Sequence, residues 1–216
     1  MEPSALLDLL RFTHLSAMAV GLGCAFLCDF ALLTRLHRGL SPELAALLHL
    51  AHPVIWGALG VMWASGLALA AWRTGLEIGQ VSPKLIAKFV VVSLLTANAV
   101  VIGRHALPRL EARGAMGLRG LSALAHRAAS VLAGISAASW LLALALGSSR
   151  LLAAAPAPVF WILLPVAYAC AIATAHWVIA GLRSPARRVV ATASQNPNGA
   201  RSYRLRDTRW SRRRAA

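Results

Sequence analysis

Apolar residues run along most of this chain in long stretches rather than in alternation with polar ones. Five stretches are of membrane-spanning length, at approximately residues 10–34, 46–72, 85–104, 121–147 and 159–182, separated by segments that carry charge, glycine or proline. A helix rises about 1.5 Å per residue and the hydrocarbon layer is about 30 Å thick, so one crossing takes roughly 20 mostly apolar residues. Lipid offers the backbone no hydrogen-bond partner, which makes each stretch a helix. The predicted fold class is all-α: an integral membrane bundle of about five transmembrane helices within residues 1–183. In residues 184–216, Pro, Ser, Asn and Gly dilute the apolar pattern and arginines accumulate, so a disordered basic tail is expected. The first stretch reads as a retained anchor, because Asp8 and Arg11 precede an apolar run too long for a signal-peptide core.

Composition and charge sharpen this picture. Of 216 residues 58% are hydrophobic and only 13% charged, too little charged surface for a soluble domain of this size. The net charge of +15 is unevenly placed. In a five-span arrangement one side receives Arg35, Arg38, Arg104, Arg109, Arg113, Arg119 and ten arginines after the last span, 16 in all. The other side receives 4: Arg11, Arg73, Lys84 and Arg150. The positive-inside rule then puts the N-terminus outside and the C-terminal tail in the cytoplasm. No folded recognition module accompanies the tail, so the lipid bilayer is its expected partner and nucleic acid is not. The Ala- and Arg-rich usage resembles that of a bacterium with a GC-rich genome, which makes the bacterial inner (cytoplasmic) membrane the expected location.

Close helix packing in lipid relies on small residues at the contact. His14, Met18, Gly21, Ala25 and Cys28 share one face of the first span; His126, Ser130, Gly134 and Ala138 share one face of the fourth; Ala169, Ala173 and His176 share one face of the fifth. These faces are expected to point inward. Cys24, Cys28 and Cys170 all lie within spans, so no disulfide framework of the secreted kind is indicated.

Six of the seven histidines, all but His37, lie in or at the edge of a span. Ionisable groups at membrane depth are costly, and each is a functional candidate. His52, His126 and His176 sit about six residues inside the cytoplasmic ends of their spans, about 9 Å deep. His49 precedes His52 by one helical turn, and His105 closes the third span near the same leaflet. Neutral imidazole ligates haem iron, copper and zinc, so a haem b held by two of His52, His126 and His176, with His49 beside them, is the expected inner site. The competing reading is that these rings only hydrogen-bond between helices. On the outer side His14 and Lys88 each lie about a turn inside their spans and together could bind an anionic group such as a porphyrin propionate, or assist proton transfer. Met18, Cys24 and Cys28 are soft ligands suited to Cu(I). Asp29 reads as a partner for a basic side chain or a proton relay. No phosphate-binding glycine loop, zinc-protease helix or nucleophile–base arrangement occurs.

Two segments carry a family resemblance. His52-Pro-Val-Ile-Trp through Ser65-Gly66-Leu67-Ala68, and Pro83-Lys84-Leu85-Ile86-Ala87-Lys88 through Asn98 to Leu107-Pro108-Arg109-Leu110, resemble the membrane domain of the CopD-type copper-resistance family. They are also similar to the related HemJ-type protoporphyrinogen oxidases, in which one histidine lies in the first span and one lysine in a later span. On that resemblance His14 matches the histidine and Lys88 the lysine. It covers roughly residues 10–110 and implies a helical membrane protein concerned with haem, porphyrin or copper.

Three functions follow as expectations. A haem b protein would pass electrons or oxidise a porphyrinogen and would need a redox partner. A copper-handling permease would use Met18, Cys24, Cys28 and the histidines in succession. A cofactor-free subunit or assembly factor would use its polar residues only for packing. Association with another membrane subunit or a second copy is compatible with each.

Overall fold

The structure, a computed structural model, describes residues 3–35, 40–75, 77–112 and 122–183. His37 and the tail of residues 184–216 lie outside the described residues. The chain divides into two compact units, Met1–Trp177 and Val178–Ala216. Only the last residues of the final helix are described in the second.

Every regular element among the described residues is helical. In order these are α1 (Pro3–Arg35), α2 (Pro42–Thr74), a 3-10 turn (Ile78–Gln80), α3 (Pro83–Val101), a π turn (Ile102–Ala106), α4 (Leu107–Glu111), α5 (Ala123–Ser148), a second 3-10 turn (Leu151–Ala153) and α6 (Ala157–Arg183). The π turn joins α3 and α4 into one span. Five helices are therefore long and apolar enough to cross a membrane: Ser4–Arg35, Pro42–Thr74, Pro83–Glu111, Ala123–Ser148 and Ala157–Gly181. The architecture is that of a multi-pass membrane protein.

The first three spans are longer than the apolar pattern alone predicts; α2 and α3 begin at polar caps before hydrophobicity rises, and the third span continues past residue 104 through the π turn. Ser41 and Ser82 cap α2 and α3, their hydroxyls accepting from the amides of Leu44 and Leu85 at 3.3 Å, with Pro42 and Pro83 at the first helical position. Ser122 caps α5 in the same way through Ala125. Helix α2 ends at Gly75, whose φ of 59° is the left-handed conformation that closes a helix without a side-chain clash. At the far end of α3, Pro108 has no amide hydrogen to donate to the preceding turn. The backbone widens there, and the Leu107 amide bonds back to Ile102 across the π turn.

Successive spans are antiparallel neighbours. The start of α1 meets the end of α2 where His14 bonds Ser65, and the end of α1 meets the start of α2 in a cluster of Cys28, Leu44, Leu48 and Ala51. Helix α3 pairs with α2 through Trp63, which donates to Thr96 at 3.0 Å and stacks on Phe89. It pairs with α5 through Asn98, whose Nδ2 donates to the Leu132 carbonyl at 3.1 Å. The main core gathers Met18, Leu59, Met62, Val91, Leu95, Trp140 and Leu146.

Two of the expected inward faces are inward. Met18, Gly21, Ala25 and Cys28 are buried, and Gly21 lies so close to the Trp140 ring that a Cβ would overlap it. His126, Ser130, Gly134 and Ala138 are likewise buried. The expectation for the fifth span is corrected: Ala169, Ala173 and His176 are exposed. Helix α6 instead packs through Phe160, Leu164, Ala167, Tyr168 and Ala171. That face offers larger apolar area, and Gly134 on α5 supplies the close approach, since a Cβ there would stand 2.6 Å from the Ile172 Cα.

Candidate functional site

Polar side chains collect toward both ends of the helices. At the end where α1 begins, His14 and Ser65 are joined Nδ1 to Oγ at 2.9 Å. The Ser65 hydroxyl donates to the Val61 carbonyl at 2.5 Å, as a serine inside a helix commonly does. Its oxygen is therefore the acceptor toward His14, and with the Met62 carbonyl also in reach of the ring this favours the imidazole proton on Nδ1 and the lone pair on Nε2. Gly66 makes room for the ring: a Cβ on it would stand 3.2 Å from His14 Cε1. This is the arrangement in which a histidine is oriented by one nitrogen and presents the other to a ligand or a proton.

Lys88, on α3, lies close enough for its charge to act on His14, and both side chains are half-buried. Among the described residues Lys88 has no carboxylate or hydrogen-bond partner; the ion pairs there are Arg11–Asp8 at 3.1 Å and His49–Glu111 at 2.8 Å. Lys84, one turn earlier on α3, donates to the Ser149 carbonyl at 2.5 Å, and both Lys84 and Arg73 act electrostatically on Lys88. The fold thus brings the Lys88 charge, on α3, within electrostatic reach of His14 on α1. Ser65, which the sequence offers only as part of the Ser65-Gly66 pair in the family resemblance, joins the site through the packing of α2 against α1.

At the other end the histidines are spread over α2, the π turn, α5 and α6. His52 Nε2 accepts from the Trp56 indole at 3.0 Å, and the ring lies against Gly103 of the π turn, where a Cβ would overlap it. Exposed His49 bridges α2 to α4 through Glu111. His126 is buried on α5, His105 is exposed on the π turn, and His176 faces outward on α6. Among the described residues no three His, Cys, Asp or Glu side chains lie together as a metal would require. Of the soft ligands, Met18 belongs to the main core, Cys28 to the smaller cluster, and Cys24 is half-buried between them along α1. Asp29 is half-buried near the end of α1, beside Cys28.

For a tetrapyrrole, the donor chemistry at the first end fits: an imidazole with its Nε2 lone pair available and a cation for a propionate. At the second end His52 spends its Nε2 on Trp56, and His176 points away from the helices that carry His52 and His126. Compared with protein-family models, curated proteins and solved structures, the chain matches none.

Proposed function

We propose that this is a multi-pass protein of the bacterial inner membrane that binds a tetrapyrrole carrying carboxylates, a porphyrin or haem b, at His14, Ser65 and Lys88. The observation that carries the reading is Lys88, a half-buried ammonium in a span, beside an oriented histidine and without a carboxylate among the described residues. Such a charge is costly in lipid unless a ligand or a functional partner uses it. A propionate would neutralise it, and the flat apolar macrocycle would lie in lipid or against the neighbouring apolar helices. His14 Nε2 would take the role of base or axial ligand. The HemJ-type resemblance singles out the same histidine and lysine. Haem b, when bound there, supplies one-electron chemistry, which calls for a redox partner.

The test is a titration of protein in zwitterionic lipid nanodiscs with protoporphyrin IX and with haemin, following the Soret band, together with the metal content of protein as purified. Saturable binding to wild type that is lost in His14→Ala and in Lys88→Met supports the reading. Binding that both variants retain, or no binding to wild type, overturns it. Stoichiometric copper in the purified protein would favour the CopD-like copper role, and absence of both pigment and metal with no binding would leave a cofactor-free subunit.

A further inference from the structure

Six tryptophans lie among the described residues, and they divide by position along the helices. Half-buried Trp63 donates to Thr96 of α3, and buried Trp140 lies over Gly21 of α1. The other four are exposed and stand as two pairs, Trp56 with Trp72 on α2 and Trp161 with Trp177 on α6. Within each pair the rings are 16 residues apart, about 24 Å along the helix axis. An indole joins an apolar ring to one N–H donor, so the boundary between lipid and water suits both parts of it. A separation of about 24 Å is close to that of two such boundaries, since the hydrocarbon layer is about 30 Å thick and thins locally to match a protein. The charges follow the same two levels. The 15 residues between Trp56 and Trp72 hold no histidine and no charged group, and the 15 between Trp161 and Trp177 hold one, His176, next to Trp177. Ionisable groups begin at once on the far sides: Arg73 follows Trp72, and His52, His49 and Glu43 precede Trp56. The His52 ring packs against Gly103, which brings the π turn to its level, and Arg104, His105, Arg109 and Glu111 follow along the chain.

We propose that the four exposed tryptophans are the surfaces by which this protein engages the two headgroup layers of the bilayer, Trp72 and Trp161 at one face and Trp56 and Trp177 at the other. The proposal stands apart from the tetrapyrrole reading. It has consequences at both ends. Ser65 is seven residues inside Trp72, so the His14–Ser65 pair lies about 10 Å beneath one face, within the lipid. At the other face the His49–Glu111 bridge and α4 stand in the headgroup layer and the water beyond it, where a charged pair costs little. His176 lies at that boundary beside Trp177, which accounts for a histidine exposed on α6: water and headgroups solvate its ring.

The test places the full chain in phosphatidylcholine nanodiscs whose acyl chains carry bromine either near the headgroup or near the terminal methyl. Four variants each keep one exposed tryptophan, with the rest replaced by phenylalanine. Each kept tryptophan is expected to be quenched about twofold or more strongly by the shallow bromine than by the deep one. Stronger quenching by the deep bromine at any of the four overturns the proposal. If loss of Trp63 and Trp140 prevents folding, the single variants Trp56→Phe, Trp72→Phe, Trp161→Phe and Trp177→Phe in the otherwise native chain give the same quantity by difference. Thiol labelling supplies a second measurement. Exposed Cys170 lies midway between Trp161 and Trp177 and is expected to resist a charged maleimide that does not enter lipid. Leu50→Cys, at an exposed position about 9 Å beyond Trp56 on α2, is expected to react. Leu50→Cys that gains no labelling over the unaltered protein overturns the boundary at Trp56. Neither measurement uses a porphyrin, so this proposal and the tetrapyrrole reading fail separately.

Discussion

A lysine ammonium half-buried in a span loses hydration that nothing among the described residues replaces, and the ligand-free protein carries that cost. Lys88→Met is therefore expected to raise the unfolding temperature of the ligand-free protein in detergent, by a stabilisation of roughly 1 kcal/mol or more, while weakening porphyrin binding about tenfold or more. A lowered unfolding temperature would show that Lys88 has a structural partner. Ser65→Ala leaves the His14 ring without its acceptor and frees both tautomers, so ligand affinity is expected to fall about tenfold, less than in His14→Ala. Spectral titration of the two variants side by side checks that order. Both positions show what was readable at this scale. His14 and Lys88 were legible as costly ionisable groups in apolar runs. Ser65, which decides which imidazole nitrogen is available, was legible only once α1 and α2 were seen side by side.

Among the elements, α3 and α6 depart most from the simple reading of apolar stretches. The third span runs through His105 and Pro108 by widening at Ile102–Ala106, and that widening sets Gly103 against the His52 ring. Restoring an amide hydrogen with Pro108→Ala permits a regular helix, which would turn the residues beyond it about the axis and move Gly103 relative to His52. The expected outcome is a change in the Trp56 environment, read by its fluorescence in a variant that keeps Trp56 as the sole tryptophan. An unchanged Trp56 signal would mean that the π turn is held by packing rather than by Pro108. For α6 the stripe of Ala169, Ala173 and His176 suggested the inner face, since small residues favour close approach. Larger apolar area on the opposite side won, and the small residue that mattered was Gly134 on the partner helix. Gly134→Leu is expected to cost about 1–3 kcal/mol by forcing α6 away, seen as a lower unfolding temperature. His176→Leu, on the exposed face, should leave that temperature unchanged within error.

At the scale of the molecule, an odd number of spans together with the charge asymmetry predicts an N-terminus outside and a C-terminus in the cytoplasm. A reporter active only outside the cytoplasm should work when fused before Pro3 and fail when fused after Arg183; the reverse pattern would contradict the 16 to 4 partition of basic residues. Helix number and membrane character were legible because lipid imposes a length and a composition on every crossing. Which histidines meet was not, because depth along a helix is written in the sequence while rotation about its axis is settled by packing. His52 and His126 share a depth in the sequence, yet the ring of the first is engaged by Trp56, whereas His14, far from Lys88 in the chain, lies within reach of its charge.

The central claim is that His14 and Lys88 act as one site, and a double-mutant cycle in ligand affinity tests it most directly. Protoporphyrin IX affinity would be measured for wild type, His14→Ala, Lys88→Met and the double variant in the same nanodiscs. If both residues hold one ligand, the double variant binds about as weakly as the weaker single variant, a coupling of roughly 1 kcal/mol or more. Losses that simply add, with no coupling between the two positions, would place them in separate environments and contradict the account.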